Sequence, residues 1–398
     1  MRGAPLLATL STLTLLATSA CTRSEPLREA AAPAQEASAH DAAANVEASR
    51  ALVARDAAAP EPVIHRAERK LMGTIWTMTL VGGREDDARA AAERAFDEVA
   101  RLESLLSEWQ PDSEISRVNQ AAGVAPVAIG PELTDCLRAS LEVARWSDGA
   151  YDISWAALRG VWDFSATSAH VPPSPKQVKA LLPLWNFRNI VLDEQRGTAF
   201  LKRRGMQIGL GGVAKGYALD RAGALLREAG FEDFLIYAGG QVLVHGTRGN
   251  RPWRVGIQHP REPRHFAFVE VTDGSLATSG DYEHAYTHAG RQYHHIIDPK
   301  TGFPSERTSS VTLIGKSALW ADAVDTAVFI MGPERGLEAL ARAPGGPFEA
   351  AVVDRTMHLH LSDAMHDHLL MTAALEPDGR IGRPLGPDEP RTRPPRRP

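Results

Sequence analysis

The hydrophobic period of this chain changes partway along, and that change limits the folds open to it. Between Asp86 and Ser107, the residues Ala88, Ala92, Ala95, Phe96, Val99, Leu102 and Leu106 recur at steps of three and four, which places them on one face of a helix. A second apolar face runs from Pro131 to Trp146 through Leu133, Leu137, Leu141 and Ala144, with Cys136 among them as a small core residue. Pro172, Pro173 and Pro175 precede a third, short helix near Lys176–Leu182. From Asn189 onward strand-like runs take over: Ile190–Leu192, Gly197–Phe200, Phe234–Val244, Trp253–Ile257, Phe266–Val271 and Thr308–Ile314. A hairpin of Glu349–Val353 and Met357–Leu361 ends the series. Leu71–Leu80 is an earlier strand, and further helices are expected at Val213–Ala229 and Ala321–Ile330. Helices and strands interleave without a regular βαβ repeat. The expectation is therefore an α+β fold, not a doubly wound parallel sheet.

Both ends stand apart from this body. Met1–Arg2–Gly3 is a short basic start, and Ala4–Ala17 is a run of mostly Leu, Ala and Thr, too short to span a bilayer and flanked like a secretory signal. It leads into Ala17-Thr18-Ser19-Ala20-Cys21, small residues before a Cys, as at a bacterial lipoprotein processing site. The expectation is a signal segment over 1–21, export, and a lipid anchor on Cys21 holding the protein to a membrane. Residues 22–64 are rich in Ala, Glu, Pro and Ser without an aromatic side chain, and are expected to be a flexible tether. The body is expected over 65–375, with a disordered Pro/Arg-rich tail over 376–398. The chain carries 44 basic and 49 acidic residues, a net charge of −5. No basic excess is present to neutralise a phosphate backbone, so nucleic acid is not an expected partner. Two cysteines exclude a disulfide framework.

Three segments carry chemistry. Gly209-Leu210-Gly211-Gly212-Val213-Ala214-Lys215-Gly216 follows apolar Met206 and Ile208 and opens a helix. Glycines let backbone N–H groups approach a phosphate, and the helix start adds partial positive charge. The segment is not a Walker loop, because Ala214 precedes the Lys and Gly216 replaces the Ser/Thr. A plain strand-to-helix turn fits the same pattern. In Ala321-Asp322-Ala323-Val324-Asp325-Thr326, the three polar side chains fall at i, i+3 and i+4 on one helix face. Hard oxygen ligands so grouped suit Mg²⁺, and acidic capping of the helix start is the other reading. His295-Ile296-Ile297-Asp298-Pro299-Lys300-Thr301-Gly302 is turn chemistry preceded by a His, which suits a base or a structural imidazole. The pairs His358/His360 and His366/His368 fit solvated positions and are not assigned.

Seven segments in order carry a resemblance. They are Met72–Thr74, Ser113–Ser116, Gly149–Asp152, Gly211–Asp220, Ala277–Tyr282, His295–Gly302 and Ala321–Ala327. Together they resemble the ApbE family, FAD:protein FMN transferases found as periplasmic lipoproteins, across about residues 71 to 375. The resemblance implies a T-fold-like α+β architecture, a mixed or antiparallel sheet with packed helices and a small accessory region. It implies Mg²⁺-dependent splitting of the substrate FAD, with FMN attached through its phosphate to a Thr or Ser of an exported or membrane acceptor flavoprotein and AMP released. It implies metal positions at the Ala214 carbonyl, Asp322, Asp325 and Thr326. FAD contacts are implied at Met72, Trp109, Ala150, Tyr151, Asp152, Gly211, Tyr217 and Ile296, with Trp109 and Tyr151 offering flat faces to the flavin or adenine. His295 matches the catalytic His. A non-catalytic flavin-binding lipoprotein and an FAD pyrophosphatase are the alternatives. One departure stands out: the family commonly carries Asp where this chain has Gly209. The expectation is a less well anchored glycine turn, which Gly209→Asp would brace.

Overall fold

The structure, a computed structural model, describes residues 62–164 and 171–395. The expected signal segment, Cys21 and tether residues 22–61 lie outside the described residues.

β1 (Ile64–Leu71), where no strand was expected, precedes β2 (Thr74–Val81), the strand expected over Leu71–Leu80. The chain reverses at Met72 and Gly73, both at positive φ, 48° and 76°, and Leu71 pairs with Thr74 across the turn. The sequence hid β1 because its Ile-His-Arg-Ala-Glu-Arg-Lys-Leu run puts charges on an edge strand, where an apolar period is not required. On β2, Trp76, Met78 and Leu80 are buried while Ile75 is exposed, the alternation of a half-covered strand.

Helix α1 (Glu85–Leu106) follows and buries the face read from its period, from Ala88 to Leu106. Next come α2 (Glu114–Gln120), α3 (Pro131–Trp146), α4 (Pro175–Leu181) and α5 (Ala214–Glu228). Cys136 is a free, buried thiol in α3. The chain then forms β3 (Phe234–Ala238) and β4 (Gln241–His245), two strands where one was expected, split by Gly239 and Gly240. After them come β5 (Gly274–Gly280) and β6 (Thr308–Gly315), then α6 (Ala318–Met331) and α7 (Pro333–Leu340), and finally β7 (Glu349–Asp354) and β8 (Leu359–Leu361).

These eight strands form one sheet in strict chain order, every neighbouring pair antiparallel. The α+β expectation is therefore met. Because the sheet is a meander, the β1–β2 turn, the β3–β4 turn and the β5–β6 connection all emerge at the same end. Thr278 N–H donates to the Gly240 carbonyl at that end, 3.2 Å.

One face of the sheet is covered by helices. Trp76, Met78, Ile236, Val311, Leu313, Ala350 and Val352 pack there with α1, α3, α5 and α6. The other face, from β4 to β8, packs Val242, Val244, Leu276, Ala351 and Val353 against a three-stranded sheet of Trp253–Gln258, His265–Val271 and Leu369–Met371. Burial on both faces is why Ala350–Val353 is an unbroken apolar run without alternation. A third cluster joins Leu158, Trp162 and Trp185 to Ile297, with Tyr286, Tyr293 and Phe303 packed on it. Trp162 stacks on Phe164 at 5.4 Å and donates its indole N–H to the Gly302 carbonyl, 2.9 Å. It pins the β5–β6 excursion, which carries His295.

The ordered chain continues past the boundary expected at 375. Ile381–Pro384 pairs with Ala373–Leu375, and Met371 N–H donates to the Thr392 carbonyl, 3.0 Å. Composition pointed to a solvated tail. Backbone hydrogen bonding to the body places it instead, and that contribution does not depend on side-chain type.

Candidate active site

The glycine turn is held from outside itself. The Asn119 side-chain amide pairs with both backbone groups of Ile208, donating to its carbonyl at 2.9 Å and accepting from its N–H at 2.7 Å. Gly209 N–H donates to the Ile153 carbonyl, 2.9 Å. Tyr151, expected as a flat face for a ligand, is instead buried. Its hydroxyl donates to the Gly212 carbonyl, 3.2 Å, and burial pushes its pKa up. It braces the turn and does not line an open surface, because the helix ahead of it places its ring in the core. Asp152 is also an internal anchor. Its carboxylate accepts from Ser154 N–H at 2.8 Å, Ser154 hydroxyl at 2.6 Å and Phe187 N–H at 2.7 Å.

After the turn, α5 crosses α6 at very close range. A Cβ on Gly216 would sit 2.2 Å from the Ala318 carbonyl oxygen, so only glycine fits. That approach lets Gly216 N–H donate to Asp322 Oδ2, 3.0 Å, while Gln241 Nε2 donates to Oδ1, 2.8 Å. Asp322 thus has partners from a helix start and from the β3–β4 turn.

Asp322 does not cap its helix. α6 begins at Ala318, and its start is capped by a residue of α5: Asp220 accepts from Ala318 N–H at 2.9 Å, Leu319 N–H at 3.0 Å and Ser317 hydroxyl at 2.7 Å. The capping reading of Asp322 and Asp325 therefore falls, since both sit in the helix interior. α6 is apolar nearly all round and buried, so its two acids are inside the protein, 2% and 0% exposed. Burial raises both carboxyls, Asp325 the more because Asp322 is beside it. Thr326 hydroxyl donates to Asp325 Oδ1 at 3.1 Å and lies 3.4 Å from Ser279 Oγ, while buried Asp325 Oδ2 has no partner. An orphaned carboxylate oxygen beside a second acid and a hydroxyl is an oxygen-donor set suited to a hard cation. Among the described residues no three His, Cys, Asp or Glu side chains converge as a metal cluster. The fit here rests on two acids and a hydroxyl. Ala214, the first residue of α5, directly precedes Lys215, whose ammonium donates to the Gly211 carbonyl at 3.3 Å.

His295 opens outward from the β5–β6 excursion. Partial burial of its ring lowers its pKa from the ordinary value, with like-charge repulsion from His284, His294 and Lys215 adding to it. Its Nδ1 lies 3.1 Å from the Glu283 carbonyl. A carbonyl only accepts, so Nδ1 carries the proton and Nε2 keeps its lone pair. Ile296 beside it is buried.

The remaining expected contacts spread around this centre. Trp109 is 72% exposed, with the Arg159 guanidinium 4.4 Å from its ring. Tyr217, on α5, places its hydroxyl 3.4 Å from Asp135, and burial with that acid pushes its pKa up to about 12. Gly211 has open space where a Cβ would point. Met72 sits in the β1–β2 turn at the sheet end shared with Gln241. Ala150 and Asp152 line a cavity of about 210 Å³ with Asp298, Lys300, Arg307 and Arg335, on the other side of the segment from Tyr151's hydroxyl.

Gly209 requires a correction. A Cβ there would meet Glu108 Oε1 at 2.9 Å and Trp155 at 3.1 Å. The place is already taken by the Glu108 carboxylate, with Arg159 Nη2 3.2 Å away, so an added Asp crowds Glu108 and competes with it for Arg159. Glu108, Arg159, Asn119, Gln241 and Asp220 were not read as site residues. Asp220 ends a resembling segment and Asn119 lies three residues past another, while nothing local in the sequence marks Glu108.

Fold and site together define an α+β protein with an exposed glycine turn beside a buried oxygen-donor group. The chain belongs to the ApbE family, whose pattern matches residues 72–348. It is 32% identical over 285 residues to an Escherichia coli (strain K12) protein named FAD:protein FMN transferase, covering 69% of this chain and 80% of that one. A Treponema pallidum protein of the same name is 32% identical over 276 residues, covering 65% and 76%. The solved ApbE protein of Thermotoga maritima superposes with a TM-score of 0.71 at 27% identity, covering 77% of this chain and 99% of that one. The flavin transferase ApbE of Vibrio cholerae shares the fold with a TM-score of 0.69 at 24% identity.

Proposed function

We propose that this chain is an FAD:protein FMN transferase. The observation that carries the reading is the buried Asp322–Asp325 pair with its orphaned oxygen, set beneath the glycine turn of an ApbE-family chain. The acceptor's Thr or Ser hydroxyl oxygen forms a bond to the FMN phosphorus of FAD. The bond from that phosphorus to the bridging oxygen breaks, AMP leaves with that oxygen, and the hydroxyl proton goes to a base.

The residues divide this work. Backbone N–H groups of Gly211 and Gly212 and the start of α5 face the pyrophosphate, and Lys215 adds positive charge. Exposed Trp109 offers a ring to a flat ligand group. His295 is neutral with Nε2 free, the state a general base needs. The Ala214 carbonyl, Asp322, Asp325 and Thr326 would hold Mg²⁺, which supplies charge neutralisation at the phosphate oxygens. Asp322 is oriented for this by Gly216 N–H and Gln241.

Export and a lipid anchor on Cys21 belong to the same reading, since an acceptor outside the cytoplasm requires an enzyme there. Fractionation of Cys21→Ser against the natural chain tests the anchor. The activity test is incubation with FAD, Mg²⁺ and a co-expressed exported acceptor, followed by mass spectrometry. FMN bound to a Thr or Ser with equimolar AMP is the expected result. FMN and AMP free in solution without acceptor would make the chain a pyrophosphatase. Bound, unchanged FAD would make it a flavin-binding protein.

A further inference from the structure

We infer that Glu108, held by Arg159, is the positioning carboxylate of the glycine turn, replacing in space the acid that Gly209 lacks in sequence; this rests on the flavin-transferase reading. Glu108 lies just past α1, 102 positions from the turn it reaches. Its side chain is 7% exposed, and Arg159 Nη2 donates to its Oε1 at 3.0 Å. Its Oε2 faces the Leu210 N–H at 3.4 Å. Oε1 stands 2.9 Å from where a Cβ on Gly209 would be. The carboxylate therefore fills the space beside position 209 and meets the backbone just before Gly211 and Gly212.

The pairing has two consequences. Glu108 with Arg159 is neutral overall, so the brace stands beside a phosphate site without a net repulsive charge. The same guanidinium lies over Trp109 at 4.4 Å and near Trp155 at 5.4 Å. One ion pair thus ties the turn that meets the phosphates to the exposed ring of the next residue, Trp109. Arg159 and Glu108 need not touch the ligand; they act through the turn and the ring.

The test is transposition of the carboxylate. Glu108→Ala, Gly209→Asp and the double variant are compared with the natural chain by FAD titration, FMN transfer rate, thermal midpoint and hydrogen exchange of the Leu210 amide. Glu108→Ala is expected to weaken FAD binding about tenfold, the scale of a lost hydrogen bond to a charged group, and to speed Leu210 exchange. Gly209→Asp alone is expected to weaken binding, because two carboxylates compete for one Arg159. The double variant is expected to return to within about threefold of the natural chain in binding and to restore Leu210 protection. Unchanged FAD binding and Leu210 exchange in Glu108→Ala, or a double variant as weak as both losses combined, would overturn the inference. If the natural chain binds FAD but transfers no FMN, the functional reading falls and the brace is still decided by binding. If it binds no FAD, Leu210 exchange decides the brace.

Discussion

The identity of single atoms decides what this site can do. Nδ1 of His295 is committed to the Glu283 carbonyl, which leaves Nε2 as acceptor. Crowding by the protein and by His284, His294 and Lys215 holds its pKa below the usual 6.5, so the ring stays neutral further into the acid range than a free imidazole. If it is the proposed base, the acid limb it gives kcat/KM for FAD is therefore expected below pH 6.5. A limb near 6.5 that disappears in His295→Ala would show instead an ordinary, solvated imidazole. The same substitution is expected to lower the transfer rate by roughly 10²–10⁴-fold with FAD affinity largely kept. Thr326 makes the second atomic choice, since its hydroxyl is the donor to Asp325. Thr326→Val keeps the shape and removes that oxygen. On the proposed reading the expected outcome is an Mg²⁺ requirement raised roughly 10–100-fold, read both as activity and as loss of a rise in thermal midpoint expected of the natural chain with Mg²⁺.

At the scale of elements, the resembling segments divide into residues that make the site and residues that hold elements for it. Ser113 caps α2 by accepting from Ser116 N–H at 3.1 Å, and Glu114 accepts from Gly130 N–H ahead of α3 at 2.9 Å. Asp220 ends the glycine-turn segment yet serves α6, supplying the carboxylate that the Ser317 side chain does not. An acid at a helix start meets unpaired N–H groups and the positive end of the dipole. Asp220→Ala is accordingly expected to cost about 1–2 kcal/mol in urea unfolding. It is also expected to weaken Mg²⁺ binding, because α6 carries Asp322 and Asp325. A cost below a few tenths of a kcal/mol would mean that solvent caps the helix equally well.

Across the described body, one charge cluster joins parts distant in sequence. Asp281, fully buried at the end of β5, is gripped by Arg261 through both carboxylate oxygens, 2.6 and 2.7 Å, and by Arg355 at 2.9 Å. Arg261 follows the smaller sheet's first strand, and Arg355 sits in the β7–β8 turn. The cluster therefore fastens the smaller sheet and the last hairpin to the end of the main sheet where the site lies. Breaking a buried ion pair leaves charge without compensation, so Asp281→Ala is expected to cost about 3 kcal/mol in denaturant unfolding. If α1–α3 and the glycine turn keep their hydrogen-exchange protection in that variant while the smaller sheet loses its own, the fastening role stands. Uniform loss across the body would make Asp281 a general core residue.

The sequence alone determined a good deal here. The helical periods of α1 and α3, the α+β alternation, the three chemical segments and the family resemblance were all legible, because each depends on neighbours a few residues apart. Even the i, i+3, i+4 face of Asp322, Asp325 and Thr326 follows from helix pitch. Tertiary structure decided what those residues face. It added an edge strand ahead of the Met72–Gly73 turn and split an expected strand at Gly239–Gly240, both turns reversed by paired positive φ values. It turned Tyr151 inward to the Gly212 carbonyl and moved the helix cap from Asp322 to Asp220. It also filled the gap at Gly209 with Glu108, from 101 positions earlier in the chain. Local pattern fixes which face of an element is apolar. Which distant group occupies a given few cubic ångströms is set only when elements pack, since hydrogen bonds and charges act over ångströms of space, whatever the separation along the chain.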